Sequence, residues 1–365
     1  MSFSNIGTVT LHDAATIIIK MTPVTDQPVF LWGAPGTGKS AIIREIIAAL
    51  SDRTGEKWGL IDCRASQLAA VDTRGVPKIN KAGATQFGVP DWLPKESRDG
   101  KFGMLLLDEL LLGSPAVQAA FYQLLHERTL GEYTLPAGWV TAALSNRPAD
   151  RAGMNGKIDT AIAGRFYTHL NVVPDVDELL EYASQQTPPW DARLYAFLDF
   201  RGRPTMNDGN LETAGLIHQY PDGNPPKGHI AIASPRTWNA VNSILSANLG
   251  DLEHVTIEGA VGKAAAAELT GFLNVCNGLT DISVALHSPD SDQATVPTEL
   301  SAQYATAVML AKRCNKENIG NAVTFIRRMS QGEELESIFF KIVTMRDKAF
   351  FDTAEYIQFK VDNNL

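Results

Sequence analysis

The chain has 365 residues, of which 44% are hydrophobic and 20% are charged. At about 100–200 residues per domain, this length predicts two or three domains, and the near-average composition excludes a disordered, collagen-like or coiled-coil chain. With 41 acidic and 32 basic residues, the formal charge is −9. This balance argues against a dedicated binder of nucleic acid or anionic membranes, because attraction to phosphate requires surplus lysine and arginine.

Cysteines and the chain start indicate the compartment. Cys63, Cys276 and Cys314 lie far apart, and the sequence has no CxxC or HExxH motif, so it does not support a zinc site. A sparse, odd number of cysteines suits a reducing compartment. Residues 1–13 lack the basic and apolar regions of a signal peptide, and no apolar stretch is long enough to span a bilayer. We therefore expect a cytoplasmic protein that does not enter a membrane.

The first half of the chain alternates short apolar runs with helical patterns. In Lys39–Leu50, isoleucine and leucine recur at helical spacing, which predicts an amphipathic helix. Continuous apolar strands separated by helices indicate a parallel sheet that is covered on both faces. The runs that predict strands are Pro28–Trp32, Trp58–Cys63, Gly103–Leu107, Trp139–Leu144 and Phe166–Val173.

The second half is predicted to be helical, and strand patterns disappear there. Arg201–Gly228, rich in proline, glycine and asparagine, is predicted to be a long loop. The sequence therefore predicts an α/β domain over residues 1–174, a helical domain over 175–288 and a helical C-terminal extension over 289–365. The helical patterns cover Asp175–Gln186, Arg193–Phe200, Pro235–Leu249, Ala260–Cys276 and the block Glu299–Leu365.

A glycine-rich segment lies between the first predicted strand and helix. Gly33–Ser40 reads GAPGTGKS, which fits G-x-x-x-x-G-K-[ST] in the required strand–loop–helix context and favours a nucleotide site over a chance turn. Glycines let several backbone N–H groups point at one anion, and the helix N-terminus adds the positive end of its dipole. Lys39 is expected to reach the β and γ phosphates of ATP, and Ser40 to bind Mg²⁺. The candidate nucleotide-binding residues are Gly33, Ala34, Pro35, Gly36, Thr37, Gly38, Lys39, Ser40 and Ala41.

A second segment, Met104–Glu109, reads MLLLDE, an apolar strand that ends in two carboxylates. Asp108 is expected to hold Mg²⁺ through water, and Glu109 to polarise the water that attacks the γ phosphate. The alternative is a strand that simply ends at an acidic helix start. The position of Met104–Glu109 after the phosphate loop favours the catalytic interpretation. An apolar strand that ends in Asp-Glu is the pattern of a Walker B segment.

Together these segments resemble AAA+ ATPases, and within them the MoxR-like group. The resemblance covers about the first two-thirds of the chain. It implies an AAA+ P-loop NTPase fold with a five-stranded parallel sheet, a helix-2 insert at about residues 75–94, and an α-helical lid. The further matching segments are Ser66–Ile79, Pro90–Pro94, Ser114–Trp139, Ser145–Gly153, Ile162–Phe166 and Ser234–Trp238.

The resemblance also implies roles for single residues. Asn146 corresponds to sensor 1, which orients the attacking water, and Arg236 to sensor 2, which touches nucleotide from the lid. Arg165 corresponds to an arginine finger that acts on a neighbouring subunit's γ phosphate, a role that suits the permanent, planar charge of arginine. Arg147 and Arg151 are alternative candidates for this trans role. Taken singly, each of these residues also fits an ordinary turn or surface position.

The function implied by the resemblance is Mg²⁺-dependent ATP hydrolysis in a homo-oligomeric ring, most simply a hexamer, that remodels or matures a protein partner. Relatives of this kind work with a partner that carries a von Willebrand factor A-like domain. The alternative is a nucleic-acid-directed motor or loader. The charge of −9 argues against it, whereas Lys78 and Lys81 keep it open. A regulatory switch that binds ATP without turnover is disfavoured by the Asp108–Glu109 pair.

Overall fold

The computed structural model describes residues 6–147, 163–202, 205–207, 210–212, 216–217, 230–278 and 282–364. The chain divides into two compact units, residues 1–174 with 220–225, and residues 175–219 with 226–365. Among the described residues, no helix has both the length and the apolar character needed to cross a membrane.

In chain order, the strands of the described residues are β1 (Thr8–Val9), β2 (Val29–Gly33), β3 (Trp58–Arg64), β4 (Pro77–Ile79), β5 (Thr85–Phe87), β6 (Phe102–Asp108), β7 (Thr129–Leu130), β8 (Tyr133–Thr134), β9 (Trp139–Ser145), β10 (Thr168–Val172), β11 (Thr205–Asn207) and β12 (Asn210–Glu212). The first unit is built on a six-stranded sheet with the order β1-β10-β2-β9-β6-β3, in which every neighbouring pair is parallel. The pairs β4–β5 and β7–β8 of this unit are antiparallel, as is the pair β11–β12 of the second unit.

Both faces of this sheet are buried, which explains the uninterrupted apolar runs. Every residue of β2 is buried: Phe30 and Trp32 belong to the cluster on one face, and Val29 and Leu31 to the cluster on the other. The helices of this unit are α1 (Leu11–Met21), α2 (Lys39–Thr54), α3 (Ala70–Arg74), α4 (Glu96–Asp99) and α5 (Pro115–Glu127). On α2, Ile43 and Ile46 carry the predicted apolar stripe into the second cluster.

The second unit consists mainly of helices around one buried cluster that extends from Val176 to Phe359. The predicted division at residue 288, between the helical domain and the C-terminal extension, falls inside this cluster. The domain limits remain predictions. The helices are α6 (Val176–Gln185), α7 (Ala192–Gly202), α8 (Pro235–Ala247), α9 (Glu253–Val261), α10 (Lys263–Gly278), α11 (Ser283–His287), α12 (Leu300–Arg313), α13 (Ile319–Arg327), α14 (Gly332–Arg346) and α15 (Ala354–Asp362).

The predicted fold class, a P-loop α/β fold with a helical C-terminal part, is confirmed with two corrections. The sheet has six strands rather than five, because Thr8 and Val9 pair with Asn171 and Val172 at its edge. The second unit is not free of strands, since β11 and β12 form a short antiparallel pair. Strands of two or three residues contain too few side chains to show a period, so the sequence pattern did not reveal them.

Candidate nucleotide-binding site

The phosphate loop Gly33–Ser40 leads from the end of β2 into the first turn of α2. Gly36 and Gly38 have φ angles of +80° and +98°, in the left-handed region that glycine adopts readily. A Cβ atom on Gly33 would lie 2.6 Å from the carbonyl oxygen of Val172. The motif glycines are therefore required by the backbone path, and the N-terminus of a 16-residue helix faces the loop.

The side chain of Lys39 folds back onto this loop. Its side chain is buried, and the ammonium group donates hydrogen bonds to the carbonyl oxygens of Gly33 at 2.9 Å and Ala34 at 2.8 Å. It also donates to Oδ1 of Asn146 at 3.3 Å. The three acceptors described here are neutral oxygens, and an anionic phosphate oxygen would be a stronger acceptor for the same ammonium group.

Ser40 and Asp108 meet at the same edge of the sheet. The Ser40 hydroxyl donates to Oδ2 of Asp108 at 3.1 Å, and Oδ1 of Asp108 accepts from the backbone N–H of Glu109 at 2.8 Å. A hydroxyl and a carboxylate are the hard oxygen ligands that suit Mg²⁺. In the described part of the chain, no group of three or more His, Cys, Asp and Glu side chains could hold a metal. Mg²⁺ commonly keeps several waters and binds one or two protein oxygens together with phosphate oxygens, a pattern that Ser40 and Asp108 fit.

Sequence reasoning missed a second carboxylate beside Asp108. Asp62 lies on β3, which pairs with β6 along its whole length. Burial and the nearby charge of Asp108 raise the pKa of Asp62, against the lowering influence of Arg64 and Arg44. The influence of Asp108 shows that a second carboxyl group lies near the edge where a cation is expected. The only sequence indication was its position near the end of a predicted strand.

Glu109 follows Asp108 in a strained conformation. Its φ of +54° and ψ of +34° lie in the left-handed region, which is uncommon for a residue with a side chain. The Ser66 hydroxyl, in the 3₁₀ turn Ala65–Gln67 after β3, donates a hydrogen bond to Oε2 of Glu109. Ser66 therefore holds the Glu109 carboxylate from the end of β3, the strand next to β6. The sequence alone assigned no role to Ser66.

The candidate sensor residues occupy different places. Asn146 directly follows β9, the strand between β2 and β6, and contacts Lys39 as described above. Arg147 is buried, with 4% of its surface exposed. Arg151 lies outside the described residues. Arg236 is an exposed residue in the first turn of α8, in the second unit.

Arg165 lies just before β10, in the first unit. Its guanidinium carbon is 5.0 Å from the centre of the Tyr122 ring on α5, within the range of a cation–π interaction. The structure therefore brings Lys39, Ser40, Asp108, Glu109 and Asn146 together at the carboxyl ends of β2, β6 and β9. Arg165 packs on α5 instead.

Comparison with known proteins finds only distant structural matches. No model of a known protein family matches the chain, and no curated protein does. Among solved structures, a RuvB mutant from Thermotoga maritima is 14% identical, with 75% of this chain and 76% of that chain covered and a TM-score of 0.38. NtrX from Brucella abortus in complex with ATP is 14% identical over 98% of this chain and 69% of that chain, with a TM-score of 0.38. PCH-2 from C. elegans is 13% identical over 72% and 69%, with a TM-score of 0.35. Similarity at this level does not transfer an activity to this protein.

Proposed function

We propose that this protein is an AAA+ ATPase of the MoxR-like group that hydrolyses ATP in a Mg²⁺-dependent reaction. The proposal rests on one observation, the meeting of Lys39, Ser40, Asp108, Glu109 and Asn146 at the end of a parallel sheet, beside a glycine-rich loop and a helix N-terminus. These groups supply an anion cradle, a cation site and a carboxylate for water, which are the main requirements of phosphoryl transfer to water.

In the proposed reaction, the loop N–H groups and the Lys39 ammonium bind the β and γ phosphates. When bound, Mg²⁺ held by Ser40 and Asp108 neutralises charge that develops on the phosphate oxygens. Glu109 accepts a hydrogen bond from the attacking water and orients it, and Asn146 assists from the end of β9. Catalysis by this arrangement is positioning together with electrostatic stabilisation.

We assign the trans role to Arg165 rather than to Arg147. A finger must be presented at a subunit surface. Arg165 is half-buried, with its guanidinium group on the Tyr122 ring, whereas Arg147 is buried, with 4% of its surface exposed. Arg236, exposed on α8, is the proposed sensor 2 residue. The assembly is a homo-oligomeric ring, proposed as a hexamer, that couples ATP turnover to the remodelling or maturation of a protein partner. A partner with a von Willebrand factor A-like domain is part of this proposal.

The nucleotide assignment is tested by two variants with different expected outcomes. Lys39→Ala should weaken binding of a non-hydrolysable ATP analogue by at least about 100-fold, because a buried charge-assisted contact is lost. Glu109→Gln should bind the analogue normally and lose phosphate release. Calorimetry and a phosphate-release assay measure these effects, and Lys20→Ala, an exposed lysine at the end of α1, serves as the control. Unchanged analogue binding by Lys39→Ala would overturn the assignment.

The partner class is tested by affinity capture with Glu109→Gln and ATP, which is expected to trap the assembled, client-bound state. Lys39→Ala under the same conditions is the control, because it should not reach the ATP-bound state. Capture of the same proteins by both variants would contradict an ATP-dependent client interaction.

A nucleic-acid-directed motor is the second candidate, and one feature favours it. Residues 73–90 contain Arg74, Lys78 and Lys81 but no Asp or Glu, and all three basic side chains are exposed on or beside the β4–β5 hairpin. Single- or double-stranded DNA should then stimulate turnover, and Lys78→Glu with Lys81→Glu should abolish the stimulation. Absence of stimulation by either form of DNA would favour the protein-remodelling proposal.

A further inference from the structure

His169 connects the strand that leads into the phosphate loop with the segment that carries Arg165. Its Nδ1 atom accepts a hydrogen bond from the indole N–H of Trp32 at 3.0 Å. Its Nε2 atom lies 2.8 Å from the carbonyl oxygen of Ala163. Trp32 immediately precedes Gly33, the first residue of the loop, and Ala163 stands two residues before Arg165.

These partners determine which neutral tautomer of the ring can make both hydrogen bonds. An indole N–H only donates, so Nδ1 of His169 must be an unprotonated acceptor. A carbonyl oxygen only accepts, so Nε2 must carry the proton. The neutral Nε2–H tautomer satisfies both bonds at once, whereas the other neutral tautomer satisfies neither. The imidazole therefore joins two segments that are far apart in the chain.

The residues around Arg165 are held from both sides. Upstream, the Ala163 carbonyl is bonded to His169. Downstream, the buried ring of Phe166 packs edge-on against Phe30 at 4.9 Å and against His169 at 5.4 Å. His169 also stacks on Phe30 at 5.5 Å. Gly164, between the two anchored positions, is exposed and imposes little restriction of its own.

We propose that His169 is a positioning residue for Arg165. Resting on the proposed trans role of Arg165, the inference is that the Trp32–His169–Ala163 hydrogen bonds hold this segment against β2 so that the guanidinium is presented to a neighbour's nucleotide. Anchoring of this kind matters because displacement of a charge-stabilising group by about 1 Å can reduce a rate by roughly 100-fold.

The test uses mixed assemblies in which one subunit type supplies only the arginine. Arg165→Ala subunits retain a complete hydrolytic site but lack the finger, and Glu109→Gln subunits retain the finger but do not hydrolyse ATP. Mixing them should restore turnover if Arg165 acts in trans. Donors that also carry His169→Leu should restore about tenfold less turnover, because the segment has lost both bonds. His126→Leu, at an exposed histidine on α5, is the control in the same donor.

A second donor separates positioning from folding. Glutamine at position 169 can accept from Trp32 through its oxygen and donate to Ala163 through its nitrogen. The Glu109→Gln, His169→Gln donor should therefore restore at least half the turnover that the Glu109→Gln donor restores, even if the leucine variant does not assemble.

The outcomes are distinguishable. No restoration by the Glu109→Gln donor would overturn the trans role of Arg165 and, with it, this inference. Equal restoration by the His169→Leu donor would overturn only the role of His169. A glutamine donor as poor as an assembled leucine donor would also overturn it, because the hydrogen bonds would then not be what matters.

Discussion

At the scale of single residues, the carboxylate of Glu109 already accepts a hydrogen bond from another residue of the chain. The Ser66 hydroxyl, in the turn after β3, donates to Oε2, and the backbone of Glu109 is in the left-handed region. This bond occupies one of the roughly four lone-pair positions of the carboxylate, so a water that needs this position must displace the Ser66 hydroxyl. Ser66 therefore competes with the attacking water for the Glu109 carboxylate, which we propose orients that water.

Replacing Ser66 by alanine should release this carboxylate. We expect the basal ATP turnover of Ser66→Ala to rise about 2- to 10-fold, the equivalent of the net free energy of about 0.5–1.5 kcal/mol of one hydrogen bond. Phosphate release under saturating ATP measures this change. Ser246→Ala, on the exposed face of α8, is the matched control. A fall in turnover to the level of Glu109→Gln would instead mean that Ser66 holds Glu109 in its working orientation.

At the scale of secondary-structure elements, an ion pair fixes the start of α7. Asp191 accepts from the backbone N–H of Arg193 at 2.8 Å and from its guanidinium at 3.0 and 2.8 Å. Its own backbone N–H donates to Asn242 on α8 at 2.8 Å. Burial raises the pKa of Asp191, but the hydrogen bonds and charge of Arg193 outweigh it and hold the pKa below its ordinary value.

This shift predicts a pH-dependent contribution to stability. Because the folded-state pKa is depressed, the contribution is complete above the unfolded pKa of about 4 and is lost as the pH falls through the lower folded value. Asp191→Asn should reduce the free energy of unfolding by about 2 kcal/mol at pH 7, and the difference should shrink below about pH 4. Urea unfolding at both pH values checks this, with the exposed Asp251→Asn as control. A difference that does not change with pH would contradict the ionic explanation.

The predicted insert at about residues 75–94 is another element with a definite form. It contains the antiparallel hairpin β4–β5, on which Ile79 and Phe87 are exposed. Trp92 is half-buried: its indole N–H donates to the carbonyl oxygen of Asp72 at 2.9 Å, and its ring packs edge-on against Phe121 on α5. We therefore expect contacts with a partner on the hairpin rather than at Trp92.

At the scale of the whole molecule, each of the two units contains at least one buried cysteine, whose reactivity can be used to follow unfolding. Cys63 lies on β3 in the first unit, and Cys276 and Cys314 lie in the second, and all three are buried. Burial, with a smaller contribution from Asp62, raises the pKa of Cys63 to about 12. Burial also raises the pKa of Cys276 to about 11 and that of Cys314 above its ordinary value. Native thiolate is therefore scarce in both units at neutral pH.

Thiol labelling should consequently follow unfolding. At pH 8 we expect a thiol reagent to modify the native chain at least about 100-fold more slowly than the urea-unfolded chain, because only thiolate reacts. Mass spectrometry assigns the modified site, so each unit can be followed separately. Stoichiometric modification of the native protein at the unfolded rate would contradict the burial described here.

The proposed ring predicts a change in mass with nucleotide. One chain is 39.6 kDa, and light scattering with ATP and Mg²⁺ should give a multiple of this mass, six in our proposal. Arg165→Ala should bind ATP with unchanged affinity and lose turnover by about 10³-fold or more, as a lost arginine finger does. Wild-type turnover by a species that remains monomeric would contradict the trans role.

Local patterns in the sequence determined much of this protein. Apolar runs located β2, β6 and β9, because a parallel strand buried on both faces must be apolar along its length. Apolar runs also located β3 and β10, which are only partly buried. The phosphate loop was equally visible, since the positive φ of Gly36 and Gly38 is a requirement of the local backbone path. Asp108 and Glu109 were predicted because they end a strand.

Only the tertiary structure decided which distant residues meet. The strand order β1-β10-β2-β9-β6-β3 brings chain positions together that no local period relates. Ser66 reaches Glu109 across 43 residues and Trp32 reaches His169 across 137. A single serine or histidine has no repeating neighbours, so its role depends on partners that are adjacent only after the sheet has formed. Its chemistry is therefore set by the long-range pairing of strands and is absent from the local sequence.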